Sequence, residues 1–263
     1  VTRATGQEAK AMTTGNNTRP LSGAVIAVAG AGGPAGKATL CRLAQAGVHV
    51  VAADAQPERL AEAVDAARYQ AGGGDITGDV IDLLDIDATR EWAARTEKQF
   101  GRIDGLIHLV GGWRGSATFP ETDLGDWTVL NDLLVRTVQH TSLAFHDPLL
   151  RSAFGRYVLI SQSGATKPTA GNAAYAAAKA AAEAWTLALA DSFRKAGGET
   201  GPTAAATIIV VKALVHDEMR AQRPNAKFAG FTDVGELADS IAGVWTRPAD
   251  EVNGNRLWLT PRP

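Results

Sequence analysis

The sequence predicts an α/β fold: a doubly wound (Rossmann) parallel sheet of seven strands with helices on both faces. Three observations predict it. Short apolar runs alternate with longer stretches of helical period from residue 24 to residue 260. The runs are apolar on both faces, as strands covered by helices on each side must be. No internal repeat, charged block or linker interrupts residues 21–263, so one domain is the simplest organisation.

The elements follow in order. Residues 1–20 are polar, rich in Thr, Ala, Gly and Asn, and end in Pro20; they read as a disordered N-terminal tail. Met12 within it is a candidate alternative start. AVIAVA (24–29) reads as a buried strand, and 34–46 as a helix with Pro34 in its first turn. VHVVAAD (48–54) is a second strand, 57–68 a helix, and 71–74 a glycine loop. DITGDVI (75–81) is a third strand, followed by a helix over 87–100. DGLIHLV (104–110) is a fourth, then a Gly/Trp loop and a long helix over 124–147. RYVLIS (156–161) precedes an alanine-rich helix over 172–195. AAATIIVV (204–211) is a sixth strand, 212–231 an irregular segment, 233–245 a helix and RLWLT (256–260) the last strand.

Composition removes several function classes. There are 26 Lys and Arg against 28 Asp and Glu, a net charge of −2. That balance lacks the basic excess of a nucleic-acid binder and gives no signal for an anionic membrane. One cysteine, Cys41, rules out an intrachain disulfide and fits a cytoplasmic location. His49, His108, His140, His146 and His216 show no metal-ligand spacing, so no metal is expected. No apolar run is long enough to span a membrane, and no secretory signal opens the sequence. Glycine is abundant, with 28 residues in 263, so some glycines must serve the backbone.

The first strand–helix turn reads Gly30-Ala31-Gly32-Gly33-Pro34-Ala35-Gly36. Glycines here allow a tight turn and close approach of a pyrophosphate to a helix N-terminus. A flexible loop would carry the same residues. Asp54 ends the second strand, 18 residues after Gly36, where an acid accepts hydrogen bonds from adenosine ribose and repels a 2′-phosphate. The competing role is a helix cap. Ala55 follows it, and neither Ala55 nor Gly33 is basic, so no phosphate clamp for NADP stands out and NAD is the expected cofactor. Asp82, with Leu83 beside it, suits either an adenine contact or a cap of the next helix. Gly111-Gly112 lets the chain pass close to a cofactor or simply turns it.

Tyr175 and Lys179 lie four apart on one helix face. A cation close to a tyrosine lowers its pKa toward working pH. Such a tyrosine can exchange a proton with a carbonyl or alcohol oxygen as hydride moves.

These residues together resemble the short-chain dehydrogenase/reductase family over about residues 22–260. The resemblance rests on the glycine turn, Asp54, Asp82-Leu83-Leu84-Asp85, Gly111, Tyr175-x-x-x-Lys179 and Asn253-Gly254 before the last strand. It implies Gly30, Gly33, Gly36, Asp54, Asp82, Leu83 and Gly111 as cofactor-binding residues. It implies Tyr175 as acid/base and Lys179 as the ligand of the nicotinamide ribose. It also implies a homodimer or homotetramer, here through the helices at 124–147 and 172–195.

The sequence departs from that family at informative places. Ala29 and Pro34 replace a Thr and a Gly of the usual turn, although Gly30-x-x-Gly33-x-x-Gly36 is another spacing the family uses. Asn-Asn-Ala-Gly becomes His108-Leu109-Val110-Gly111. The catalytic Ser position is Gln162, with Ser163 next to it as a substitute, so both are candidate catalytic residues. Leu134 stands where the family keeps an Asn, with Asn131 one turn earlier, and Lys212-Ala213 replaces Pro-Gly. Gly111-Gly112-Trp113 and the missing Ser locally resemble the dihydropteridine reductase branch, which reduces a quinonoid ring. Trp113 would then stack on a flat substrate, or else pack under its loop. Leu214, Met219, Phe228 and Phe231 are the expected pocket walls. The reading is an NADH-dependent oxidoreductase acting on a carbonyl, quinonoid or imine carbon of a small molecule. The alternative is a non-catalytic NAD(H)-binding sensor or assembly protein. An open cavity beside Tyr175 separates the two.

Overall fold

The structure is a computed structural model that describes residues 21–71 and 74–262. The expected tail at 1–20, and residues 72–73 of the expected loop, lie outside the described residues. Seven parallel strands form one sheet: β1 (Val25–Ala29), β2 (His49–Asp54), β3 (Ile76–Val80), β4 (Gly105–His108), β5 (Arg156–Gln162), β6 (Ala205–Val211) and β9 (Arg256–Trp258). Their order is β3-β2-β1-β4-β5-β6-β9. Two short strands, β7 (Leu214–Val215) and β8 (Thr232–Asp233), pair in parallel as a separate ribbon.

All five residues of β1 are buried, because each face meets helices. Ile26 and Val28 pack with Leu40 and Leu43 of α1 (Pro34–Gln45), Leu60 of α2 (Pro57–Gln70) and Leu237 of α8 (Val234–Gly243). Val25 and Ala27 pack with Trp92 of α3 (Ile86–Phe100), Phe145 of α5 (Thr137–Arg151) and Phe193 of α6 (Ala173–Gly197). Period-two alternation thus sends alternate residues of one strand into opposite cores. Burying a Leu or Phe in this way contributes about 1.5–3 kcal/mol each.

Two expectations change. The helix expected at 124–147 is α4 (Leu124–Asn131), a π turn over Asp132–Arg136, and α5. The segment 212–231 is not wholly irregular, since it holds β7 and the short α7 (Asp217–Gln222). A last short helix, α9 (Ala249–Val252), precedes β9. Among the described residues, no helix is long and apolar enough to cross a membrane. The strand order reverses beside β1, where β2 and β4 flank it. That crevice at the carboxyl ends is where open α/β sheets place ligands.

Candidate active site

The glycine turn leaves β1 at Gly30, whose φ of +79° is left-handed. A Cβ there would lie 2.6 Å from the Val110 nitrogen, so the turn presses against the chain leaving β4. A Cβ on Gly36 would lie 2.1 Å from the Ala31 carbonyl oxygen. These two glycines are required by the protein's own packing. Gly33 and Gly111 are different. A Cβ on either would meet nothing closer than 3.7 Å, yet both line the cleft. Their open space is room that a ligand backbone could use. Gly33 also starts α1 with no side-chain cap and no acid in the first turn, which leaves the helix N-terminus free for an anion.

Asp54 binds the same turn. Its Oδ2 accepts from Gly32 N at 2.9 Å and its Oδ1 from Gln56 N at 3.0 Å. A carboxylate has about four acceptor positions, so sites remain for ribose hydroxyls. Asp54, Asp82, Leu83, Gly30, Gly33 and Gly111 share a cavity of about 560 Å³. Asp82 accepts from Leu84 N at 2.9 Å, and the cap of α3 is Asp85, which accepts from Asp87 N and Ala88 N. The helix-cap alternative for Asp82 therefore falls to its neighbour.

Sequence reading overlooked Arg59. It sits in the first turn of α2, its Nη2 lies 3.7 Å from an ideal Cβ on Gly33, and it lines both halves of the cleft. Its Nη1 donates to Gln56 Oε1 at 3.2 Å, and among the described residues it makes no ion pair. Pro57, which starts a helix shortly after Asp54, would have been the signal, since it puts Arg59 in the first turn beside the glycine turn.

The cleft continues into a second cavity of about 610 Å³ lined by Gly33, Trp113, Ser161, Gln162, Tyr175 and Lys179, among others. Lys179 is buried, at 7% exposure, and its Nζ donates to the Ile160 carbonyl at 2.9 Å. Nζ lies 6.0 Å from the Tyr175 ring centroid. Burial pulls the Lys179 ammonium down to about 8, while Glu183 opposes that fall. Burial pushes the Tyr175 phenol up to about 12. The expected lowering of Tyr175 by Lys179 is absent: desolvation of the phenolate outweighs a cation at that distance.

Gln162 lies at the cleft wall, where its Nε2 donates to the Lys212 carbonyl at 2.9 Å and its Oε1 accepts from Gly164 N. One amide N–H is left over. Ser163 opens a 3₁₀ turn and is not among the residues lining the cleft. Leu134 lies in an apolar cluster with Leu130, Val135 and Ala178, and Asn131 does not line the cleft. His108 is buried between Thr137 Oγ1 and Thr141 Oγ1, each 3.2 Å from a ring nitrogen. Burial, aided by Lys179, lowers it to about 3, so it is neutral.

Of the expected pocket walls, Leu214 and Met219 line the cleft. Phe228 and Phe231 do not; they stack edge to face at 5.7 Å beside a separate groove. Trp113 is 67% exposed at the cleft mouth, so it is not packed under its loop. Among the described residues, no group of three or more His, Cys, Asp or Glu could hold a metal ion.

A short chain dehydrogenase family profile matches residues 24–208, the stretch that carries the glycine turn, the cleft and Tyr175-x-x-x-Lys179. The chain belongs to the short-chain dehydrogenase family. An uncharacterized oxidoreductase of Mycobacterium tuberculosis is 31% identical over 90% of this chain and 91% of its own length. The 2,3-dihydro-2,3-dihydroxybenzoate dehydrogenase of Bacillus subtilis is 28% identical over 66% of this chain and 65% of its own length. Just under two thirds of that dehydrogenase is thus spanned. A short chain oxidoreductase from Pseudomonas aeruginosa, described as containing an atypical catalytic center, superposes with a TM-score of 0.80. It is 22% identical over 90% of this chain and 95% of its own, a likeness of fold. The chain keeps Tyr175 and Lys179, on which the sequence resemblance rests, and departs from it at Gln162 and Leu134.

Proposed function

We propose that this dehydrogenase transfers hydride between NAD(H) and a carbonyl, quinonoid or imine carbon, with Tyr175 handling the proton. The observation that carries the reading is the single cleft. Tyr175, Lys179 and Gln162 line one end, and Asp54 and Asp82 the other, with Gly30, Gly33 and Gly111 shared between them. The nicotinamide, when bound, supplies or takes up the hydride. The chain's own residues do the rest. With its phenol up at about 12, Tyr175 is protonated at neutral pH and can donate to a substrate oxygen or nitrogen. Lys179, still mostly cationic below about 8, stabilises the phenolate that donation leaves. The spare Gln162 N–H can donate to the substrate oxygen in place of a hydroxyl. Trp113 at the mouth favours a flat ring by stacking.

Asp54 supports NADH over NADPH, through attraction to ribose hydroxyls and repulsion of a 2′-phosphate. The open space beside Tyr175 supports turnover over a binding-only role. Exposed Leu124, Trp127, Val129 and Leu143 on α4 and α5 support a homodimer or homotetramer. The test is fluorescence titration with NADH and NADPH, then a screen of quinonoid, pterin and ketone substrates with the Tyr175→Phe variant as control. Binding of neither nucleotide overturns the reading.

A further inference from the structure

One helical turn beyond Lys179, α6 carries Glu183, which is 2% exposed. Its Oε1 accepts from Ser161 Oγ at 2.5 Å, and its Oε2 accepts from Arg256 Nε of β9 at 2.6 Å. Taking a carboxylate out of water costs several kcal/mol, and pairing only offsets that cost. An apolar residue would pack in this core without it, so packing does not explain the acid. Arg256 alone does not explain it either, because that side chain keeps 32% of its surface exposed and could hydrate its charge.

What the acid faces does explain it. Lys179 and Glu183 are i and i+4, on one face of α6. Lys179 Nζ holds the Ile160 carbonyl, and Ser161, the next residue, holds Glu183 and lines the cleft. The other ionisable groups around Lys179 come from several elements. Tyr175 lies on α6 and neutral His108 on β4, while Arg256 of β9 meets Glu183. Lys212 and His216 follow β6, and Arg59 reaches in from α2. Asp132 of the π turn faces the other cavity and is paired with Arg136. Among the described residues, Glu183 is thus the buried anion of the Lys179 end. Leu134 of the π turn packs in an apolar cluster with Leu130, Val135 and Ala178.

We propose that Glu183 is a positioning residue for the Tyr175–Lys179 pair: it is the anion that keeps Lys179 charged, and Arg256 is the opposing cation that tunes it. The inference rests on the reading of Tyr175 and Lys179 as the reacting pair. Attraction by Glu183 against the desolvation of Lys179 has the sign this requires.

The test uses two opposite charge changes in the full chain, Glu183→Gln and Arg256→Gln. The Lys179 titration is followed by NMR of carbon-13-labelled lysine in the cofactor-free protein, with its peak assigned by its loss in Lys179→Met. Glu183→Gln is expected to lower the midpoint by about one pH unit, a roughly tenfold loss of proton affinity. Arg256→Gln is expected to raise it. A structural ion pair would lower stability in both variants and leave the Lys179 midpoint unmoved, which overturns the proposal. Shifts of the same sign in both overturn it too. If Glu183→Gln does not fold, Arg256→Gln decides alone: a rise supports the proposal, and no change or a fall overturns it. Lack of hydride transfer in the unaltered protein would sink the functional reading while the titration still answers for Glu183.

Discussion

The Gln162 side chain and the Lys212 backbone are joined: Nε2 donates to the carbonyl at 2.9 Å, across 50 residues of sequence. This bond fastens the loop after β6 to the end of β5, on the wall of the substrate end of the cleft. Gln162→Ala removes the tether and the spare amide donor together. The bond from Gly164 N goes with them, so the expected outcome is a loss of about 1–3 kcal/mol in urea unfolding, the worth of two hydrogen bonds. Gln162→Glu keeps the Gly164 N contact but cannot donate to Lys212. It should therefore lose about 0.5–1.5 kcal/mol, less than the alanine variant, and equal stability to the parent would show that the tether contributes nothing.

Tyr175→Phe is expected to abolish turnover, at least a hundredfold in kcat, because general acid–base groups contribute about 10²–10⁴-fold. NADH affinity should stay within a few-fold, since the ring and Lys179 remain. Turnover that survives this change would remove Tyr175 from the mechanism.

Much of this site was legible in the sequence, for local reasons. Pro34 after a glycine turn marks where α1 starts, and an acid at the end of an apolar run marks the end of β2. Tyr175 and Lys179 share a face by helical period alone. Contacts made by packing were not legible. Arg59 reaches Gly33 only because α2 lies against the turn. Glu183, in an alanine-rich helix, reads like a solvent-facing charge until β5 and β9 close over it. The π turn at Asp132–Arg136 inserts a residue that apolar periodicity does not encode. Phe228 and Phe231 prefer each other to the cleft, a choice set by where β7 and β8 pair.

His108 makes stability depend on pH. Folded, its pKa is about 3, against 6.5 for the free group, so the unfolded chain binds the extra proton between these values. Its contribution is fully present above pH 6.5 and is lost as pH falls toward 3, by up to about 1.4 kcal/mol per pH unit. His108→Gln can still bond Thr137 or Thr141 but does not titrate. Denaturant melts at pH 7 and pH 5 should show a smaller acid loss for that variant. An identical loss would mean that other groups carry the acid sensitivity.

Gly36 and Gly33 should respond differently to alanine. At Gly36 the new Cβ would sit 2.1 Å from a backbone oxygen, so backbone must move, at a cost of about 1–3 kcal/mol or more. At Gly33 the space is open and the φ of −82° suits any residue. Gly33→Ala should still fold, at a cost of about 1 kcal/mol, because Ala is a poorer N-cap than Gly. Its methyl would occupy the ligand's space, so NADH affinity should fall at least tenfold. Unimpaired binding by Gly33→Ala would place the cofactor elsewhere.

Asp54 and Arg59 act on different parts of a nucleotide: the Asp54 carboxylate repels a 2′-phosphate, and Arg59, which makes no ion pair among the described residues, lies beside Gly33. Arg59 Nη2 lies 3.7 Å from an ideal Cβ on Gly33, in the turn a pyrophosphate would approach, so it should act on phosphate common to both cofactors. Arg59→Ala is then expected to weaken NADH and NADPH alike, by about tenfold, the order of one charge-assisted hydrogen bond. Asp54→Asn keeps an acceptor for Gly32 N or Gln56 N but removes the charge. It should narrow the preference for NADH at least tenfold, mostly by improving NADPH. Paired titrations of the two variants decide the matter. If Arg59→Ala spares NADH and selectively loses NADPH, the guanidinium reads the 2′-phosphate, and Asp54 is a turn residue rather than the discriminator.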